Sequence, residues 1–263
     1  MTLDAVKKER SDSLRKQRMF EERLNNKGCM MKIIEYNGGH DVIVEFQDKY
    51  KAKVHTAYSF FLSGEVKNPY FPSVLGVGIT GNKYPTSKDG KITKEYCAWR
   101  DMLYRCFYEE EKKRHPEYKD VTCCADWLLF ENFYEWIHSQ ENYDKWLNEN
   151  AWDVDKDILF KGNKIYGPET CCLVPTRVNK IFSIHADRRG DCPIGVSKHG
   201  NNFKARYGKK HIGMYKDPES AFLAYKEYKE AYIKQVAKQE LSVGNITQQC
   251  YHAMINYKVE ITD

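Results

Sequence analysis

The sequence lacks long apolar segments. No run approaches the roughly 20 apolar residues that a membrane-spanning helix needs, and the N-terminus is charged throughout instead of leading into an apolar stretch. The nine cysteines are odd in number and form no C-x-x-C pair, which argues against a disulfide framework and a zinc ribbon. We therefore expect a soluble, intracellular protein of the cytoplasm with no membrane partner.

The sequence also lacks a phosphate-cradling loop. Gly76, Gly78 and Gly81 are not followed by G-K-S/T or by a clear helix start, so they predict an ordinary loop. No small-molecule cofactor is indicated. The net charge of +5, from 42 basic and 37 acidic residues, is too small to indicate a nucleic-acid partner, so the distribution of charge must decide.

Hydrophobic periodicity divides the chain into segments of different type. Residues 1–28 predict a charged leader helix, and residues 29–90 predict a small β domain with a hairpin formed by Lys32–Tyr36 and Val42–Phe46. A helical segment with a ββα core follows over 91–184, then a three-stranded antiparallel sheet with one packed helix over 192–240, and a C-terminal tail over 241–263. The predicted fold class is α+β.

The helical segment is acidic and aromatic. Residues 121–157 hold nine Asp or Glu and two Lys, a net charge of −7. The aromatic residues recur at helical spacing, which predicts core packing before any other role. Because the surface of this segment would repel phosphates, we expect it to hold a divalent cation or to meet a protein partner.

Residues 152–182 predict the order strand, turn, strand, helix. They contain Asp153-Val154-Asp155-Lys156-Asp157, then Pro168-Glu169-Thr170-Cys171, and finally Asn179. This segment resembles the ββα core of the HNH endonucleases over about thirty residues.

The resemblance implies a nuclease site that uses Mg²⁺ to stabilise the charge developing on a phosphate. Asp155 and Asn179 occupy the positions of the metal ligands, and Lys156 occupies the position of the histidine base. A lysine beside two aspartates should stay protonated, so Asp157 could serve as the base instead. The alternatives are a unit that docks on DNA without cutting it and a plain solvated strand end.

The next segment predicts a basic meander. Three short strands precede Asp217-Pro218, a typical helix N-cap followed by proline at the first helical position. Between residues 193 and 216 the chain has no Asp or Glu and six basic residues: Lys198, Lys204, Arg206, Lys209, Lys210 and Lys216. This concentration of charge is typical of a phosphate-lined partner.

The strand Phe203-Lys204-Ala205 and the run from Ile212 to Tyr225 resemble the AP2 (integrase-like) DNA-binding domain. The resemblance covers residues 193–232 and implies that the sheet, not the helix, contacts DNA. By position, the residues implied to contact DNA are Lys198, Lys204, Arg206, Lys209 and Lys210. A meander whose basic face only aids solubility is the alternative.

Together these features predict a double-stranded DNA-binding protein of phage, prophage or other mobile-element type in a bacterial host cell, resembling homing endonucleases. The second hypothesis is a non-catalytic regulator or counter-defence protein that binds DNA and also a protein partner through the acidic middle. A third is a DNA mimic, which the adjacent basic segment disfavours.

Overall fold

The computed structural model describes residues 3–183, 191–261 and 263, and its fold class is α+β, as predicted, with 40% helix and 24% strand. Two compact units are present: an N-terminal unit of Met1–Thr93 with Leu128–Glu131, and a C-terminal unit of Lys94–Trp127 with Asn132–Asp263. The predicted boundary at residue 184 lies outside the described residues. In the described part of the chain, no helix has the length and apolar character needed to cross a membrane.

The N-terminal unit is built on an antiparallel sheet in the order β1 (Glu22–Leu24), β2 (Met30–Gly38), β3 (Asp41–Phe46), β4 (Lys53–Thr56). The pairing of β2 with β3 confirms the predicted hairpin. Period-two alternation places one face in the core, with these residues buried: Met31, Ile33, Tyr36, Val42, Val44 and Phe46. The remaining elements are α2 (Tyr58–Ser63) and two small hairpins, β5 (Pro72–Val74) with β6 (Gly78–Ile79) and β7 (Ser87–Lys88) with β8 (Lys91–Ile92).

The charged leader is shorter than predicted. Helix α1 spans Leu3–Arg18, and Leu24 of β1 already pairs with Met30 of β2. The end of α1 is fixed by Arg18, which donates a 2.8 Å hydrogen bond to the hydroxyl of Tyr36 and lies 3.8 Å from the ring centroid of Tyr58. Over residues 22–24, pairing with the edge of the sheet therefore produces a strand, although the local charge pattern predicts a helix.

The glycine-rich segment is a loop held by a buried carboxylate. Glu131 Oε1 accepts hydrogen bonds from the backbone N–H groups of Asn82 and Lys83, at 2.9 and 2.8 Å. Gly81 has φ +73°, and a side chain there would overlap Glu131. The loop role predicted for Gly76 and Gly81 is therefore confirmed, whereas Gly78 begins strand β6.

The helical part of the chain contains α3 (Lys94–Phe107), α4 (Glu109–Arg114), α5 (Phe130–His138) and α6 (Tyr143–Asn148), with 3₁₀ turns at Pro116–Tyr118 and Ala125–Leu128 and strand β9 (Thr122–Cys123). Trp99 and Trp127 are almost fully buried, and the indole N–H of Trp99 donates to the carbonyl of Trp127 at 2.7 Å. The aromatic stripe is therefore core, as its spacing predicts.

The ββα segment has the predicted order. β10 (Trp152–Asp155) pairs antiparallel with β12 (Cys172–Pro175), and α7 (Thr176–Phe182) follows. A short strand between them, β11 (Ile165–Tyr166), pairs in parallel with β9.

The three-stranded antiparallel sheet near the C-terminus is confirmed, in the order β13 (Val196–His199), β14 (Asn202–Tyr207), β15 (Lys210–Tyr215). Helix α8 (Pro218–Ser242) packs on it, and the side chain of Asp217 caps the helix by accepting from the N–H of Ser220 at 2.7 Å. The predicted cap and helix start are thus both correct.

The C-terminal tail is part of the core. Helix α9 (Gln248–Asn256) follows α8, and Ile246, Cys250, Met254, Tyr257 and Val259 are buried. They belong to one apolar cluster with Val174 and Phe182 of the ββα segment and with Ala205 and Tyr225 of the sheet and helix. The segments at 91–184 and 192–240, separated by composition, therefore share one core.

Gly195 allows the close approach of the sheet to α8. It has φ +74°, and a methyl group there would overlap the ring of Tyr225. We expect Gly195→Ala to lower the free energy of unfolding by about 2–4 kcal/mol, combining left-handed backbone strain with overpacking. Urea denaturation measures this change.

Gly200→Ala is the matched control, because Gly200 has φ +60° but open space around its Cα. The free energy of unfolding of this variant should fall by only about 1 kcal/mol, the part that comes from backbone strain. Equal losses for the two variants would contradict the proposed overlap with Tyr225.

Candidate nucleic-acid interface

The sheet of β13, β14 and β15 has two different faces. Ala205, in the middle strand, is fully buried, and Val196 and Gly213 lie opposite it in register. On the same side Tyr207 lies 5.2 to 6.2 Å from the rings of three tyrosines of α8, Tyr225, Tyr228 and Tyr232. The Ala205 side therefore packs against the helix.

Lys204 and Arg206 alternate with Ala205, so they lie on the face that points away from α8. Lys204 is in register with Ser197 and Met214. Arg206 is exposed and is in register with His211. We call this surface, Ser197, Lys204, Arg206, His211 and Met214, the open face.

The other predicted DNA contacts lie elsewhere on the sheet. Lys198 is in register with Phe203, and Lys210, the first residue of β15, is in register with Tyr207, so both occupy positions of the helix-facing side. Lys209 lies in the turn between β14 and β15. All three are exposed, but the pleat does not group them with Lys204 and Arg206.

His211 and Met214 were not predicted as part of this surface. A register irregularity between Ala205 and Arg206 brings Met214 opposite Lys204, and such a bulge leaves no clear mark in sequence. Met214 is 42% exposed. The position of His211 opposite Arg206 could have been found from the sequence, because regular pairing outward from Tyr207 and Lys210 at the turn places these two residues opposite each other.

Asp155, predicted to bind the metal, is committed to a turn. It is 6% exposed, and its Oδ1 accepts from the backbone N–H groups of Asp157 and Ile158 at 2.9 and 2.7 Å. Burial raises its pKa to about 6, despite those two hydrogen bonds, which favour the charged form. Asp155 thus shapes the chain after β10.

Lys156 stands where a histidine base was expected, and it forms an ion pair. Its ammonium lies 2.8 and 2.7 Å from the two carboxylate oxygens of Asp157 and 3.1 Å from the carbonyl of Asn163. An ammonium with three acceptors has its donors occupied, and each carboxylate oxygen of Asp157 accepts from it. The two residues predicted as candidate bases therefore pair with each other.

Asn179 approaches a different aspartate from the one predicted. Its amide Nδ2 donates to Asp153 Oδ2 at 3.0 Å. Asp153 and Asp155 share one side of β10 because they are two residues apart, but the turn takes the Asp155 carboxylate. The structure therefore brings together Asp153 with Asn179, not Asp155 with Asn179.

A cleft of about 630 Å³ lies beside this pair. One face of α3 forms a wall of it through Lys94, Cys97, Asp101 and Arg105. The ββα segment contributes the other residues that matter here: Asp153, Lys156, Asp157, Lys161, Lys164, Tyr166 and Asn179. Asp155 is not among the lining residues.

The cleft offers oxygen donors of the kind that Mg²⁺ prefers. Asp153 would supply a carboxylate oxygen to the ion, but the group of Asn179 that meets Asp153 is the amide N–H, which donates a hydrogen bond and does not bind a cation. The described residues contain no cluster of three or more His, Cys, Asp or Glu placed to bind a metal. This donor set is therefore smaller than a dedicated protein metal site.

No protein-family model, curated protein or solved structure matches the chain.

The raised pKa of Asp155 predicts a pH-dependent stability. The folded chain binds this proton up to about pH 6, the unfolded chain only to about 3.8, so the free energy of unfolding falls as pH rises through that window. Asp155→Asn keeps the accepting oxygen and removes the charge. Between pH 3.8 and neutral pH, we expect the free energy of unfolding of the variant to rise relative to that of wild type by on the order of 2–3 kcal/mol.

Chemical denaturation across this pH range provides the measurement. If the difference in the free energy of unfolding between Asp155→Asn and wild type stays constant with pH, the raised pKa of Asp155 is contradicted.

Proposed function

We propose that the protein binds double-stranded DNA through the open face of its C-terminal sheet. The observation that carries this proposal is the placement of Lys204 and Arg206 side by side, away from α8, in a segment with six basic residues and no Asp or Glu between 193 and 216. A sheet of this width fits the major groove. The resemblance to the AP2 domain supports the same face.

The chemistry of the open face suits a duplex. Arg and Lys donate to phosphates and to guanine O6 and N7. Met214, opposite Lys204 on the neighbouring strand, supplies an apolar group of the kind that contacts a thymine methyl. The phage or mobile-element character of the protein belongs to this proposal and rests on the AP2 and HNH resemblances.

A test compares two double variants that remove the same charge. Lys204→Ala with Arg206→Ala should weaken binding of a labelled duplex and reduce the slope of log Kobs against log[salt] by about 1.8, or about 0.9 for each lost phosphate contact. Fluorescence polarisation over a salt series gives both quantities.

Lys198→Ala with Lys210→Ala is the control, since it changes the net charge equally on the helix-facing side. It should alter the slope much less. Equal effects of the two pairs would mean that the segment is a diffuse cationic patch and that the open face has no special role.

For the cleft, we propose docking on the DNA backbone without cleavage, as in the regulator hypothesis. The supporting observation is the ion pair of Lys156 with Asp157, which occupies both candidate bases. None of the described residues that line the cleft is a histidine. A protein partner on the acidic segment at 121–157 stays a prediction.

The nuclease hypothesis is the second candidate, and the contact of Asn179 with Asp153 favours it. We expect supercoiled plasmid and long genomic DNA to be retarded in a salt-sensitive manner but not nicked, with Mg²⁺ or Mn²⁺. Nicking by the wild type that is lost in Asp153→Ala would overturn this expectation and establish metal-dependent hydrolysis. Asp155→Ala in parallel tests the originally predicted ligand.

A further inference from the structure

We propose that Arg105 is the centre of a phosphate-binding subsite in the cleft, which grips one phosphodiester of the DNA strand. The inference rests on the proposed function and extends it to a residue on α3, outside the ββα segment. It needs no metal ion, because a guanidinium supplies the positive charge.

Arg105 is held in place by a neutral group. Its Nη1 donates to the hydroxyl of Tyr166 at 3.2 Å, and its guanidinium lies 5.8 Å from the ring centroid of Tyr118. Tyr166 is buried and belongs to β11. Both partners orient the guanidinium without cancelling its charge.

The carboxylates of the cleft have partners other than Arg105. Asp101 lies 3.7 Å from Arg100, and Glu117 lies 3.3 Å from His115. Asp157 pairs with Lys156, and Asp153 accepts from Asn179, as described above. Over the described ranges 3–183, 191–261 and 263, Arg105 has no carboxylate within ion-pair distance.

A second cation, Lys164, lies on the ββα side of the cleft. Lys164 is exposed, and within the described part of the chain its ammonium has one acceptor, the backbone carbonyl of Glu117 at 3.5 Å. Arg105 contacts the neighbouring residue, Tyr118. The two cations therefore flank one short stretch of chain, and Asp101, one turn before Arg105 on α3, offsets part of the charge of Arg105 electrostatically without an ion pair.

A phosphodiester matches this arrangement. The fork of N–H groups on a guanidinium binds two phosphate oxygens at once, and the ammonium of Lys164 adds a point charge. A half-buried site also screens such contacts less than an exposed one does.

The test uses the full chain and a labelled duplex of mixed sequence. Arg105→Gln should weaken binding at least about tenfold and reduce the salt slope by about 0.9. Arg105→Lys should keep the salt slope, because the charge is retained, but should bind the duplex less tightly than wild type, because the guanidinium fork is lost. The same results should be obtained in EDTA and in Mg²⁺.

Arg114→Gln is the matched control. Arg114 is exposed on α4 and its substitution loses the same charge, but it does not line the cleft, so the DNA binding of this variant should equal that of wild type. Circular dichroism and thermal melting check that each variant folds.

A measurement on the unaltered protein makes the test independent of folding in the variants. Phenylglyoxal labelling followed by peptide mass spectrometry should show that duplex DNA protects Arg105 but not Arg114. Protection by inorganic phosphate alone, at matched ionic strength, would assign the site to a free anion and overturn the proposal.

The outcomes separate this inference from the proposed function. Binding that depends on Lys204 and Arg206, with Arg105 neither protected nor needed, overturns the subsite alone. Binding that needs Arg105 but not the open face overturns the role of the sheet and supports the subsite. Absence of duplex binding by wild type overturns both.

Discussion

A buried carboxylate at the end of α8 joins the ββα segment to the sheet and helix that follow it. Glu240 is 4% exposed and accepts from Arg177 of α7 through Nε and Nη2, at 3.0 and 2.7 Å, and from Asn245 Nδ2 at 2.7 Å. Such charge-assisted contacts are among the stronger hydrogen bonds in proteins. They lock α7, α8 and the turn before α9 in one arrangement.

The apolar cluster around this contact sets the geometry of both proposed DNA contacts. Phe182 of α7 packs against Tyr257 after α9, with ring centroids 4.9 Å apart, and Lys161 pairs with Asp263 at 2.6 Å. The tail thus closes over the ββα segment while α8 covers the sheet. The open face and the cleft are therefore held on one rigid support.

Local patterns predicted much of this fold. The alternation in β14 and the Asp217-Pro218 helix start depend on neighbours within a few residues, and both were correct. The choice of Asp153 over Asp155 by Asn179 could not be predicted, because both carboxylates share one side of β10. The carboxylate that remains available to Asn179 is the one that does not accept from the N–H groups of the following turn, and the sequence does not show which one that is.

The tail was equally beyond sequence reasoning, for a different reason. Cys250 and Met254 are four residues apart and mark an apolar helix side, but the surface that they cover is formed by residues more than seventy positions earlier, such as Val174. Periodicity indicates that a face is buried and does not identify its partner. The bulge beside Arg206 likewise depends on strand pairing.

The shared core has a consequence for how this chain could be re-engineered or recombined. A DNA-binding domain that folds on its own can be excised and fused to another protein, as independent domains often are. Here Ala205, Val174 and Met254 belong to one cluster, so excising residues 192–240 would strip apolar surface from both fragments. New sequence preference would have to arise by substitutions on the open face rather than by exchange of the module.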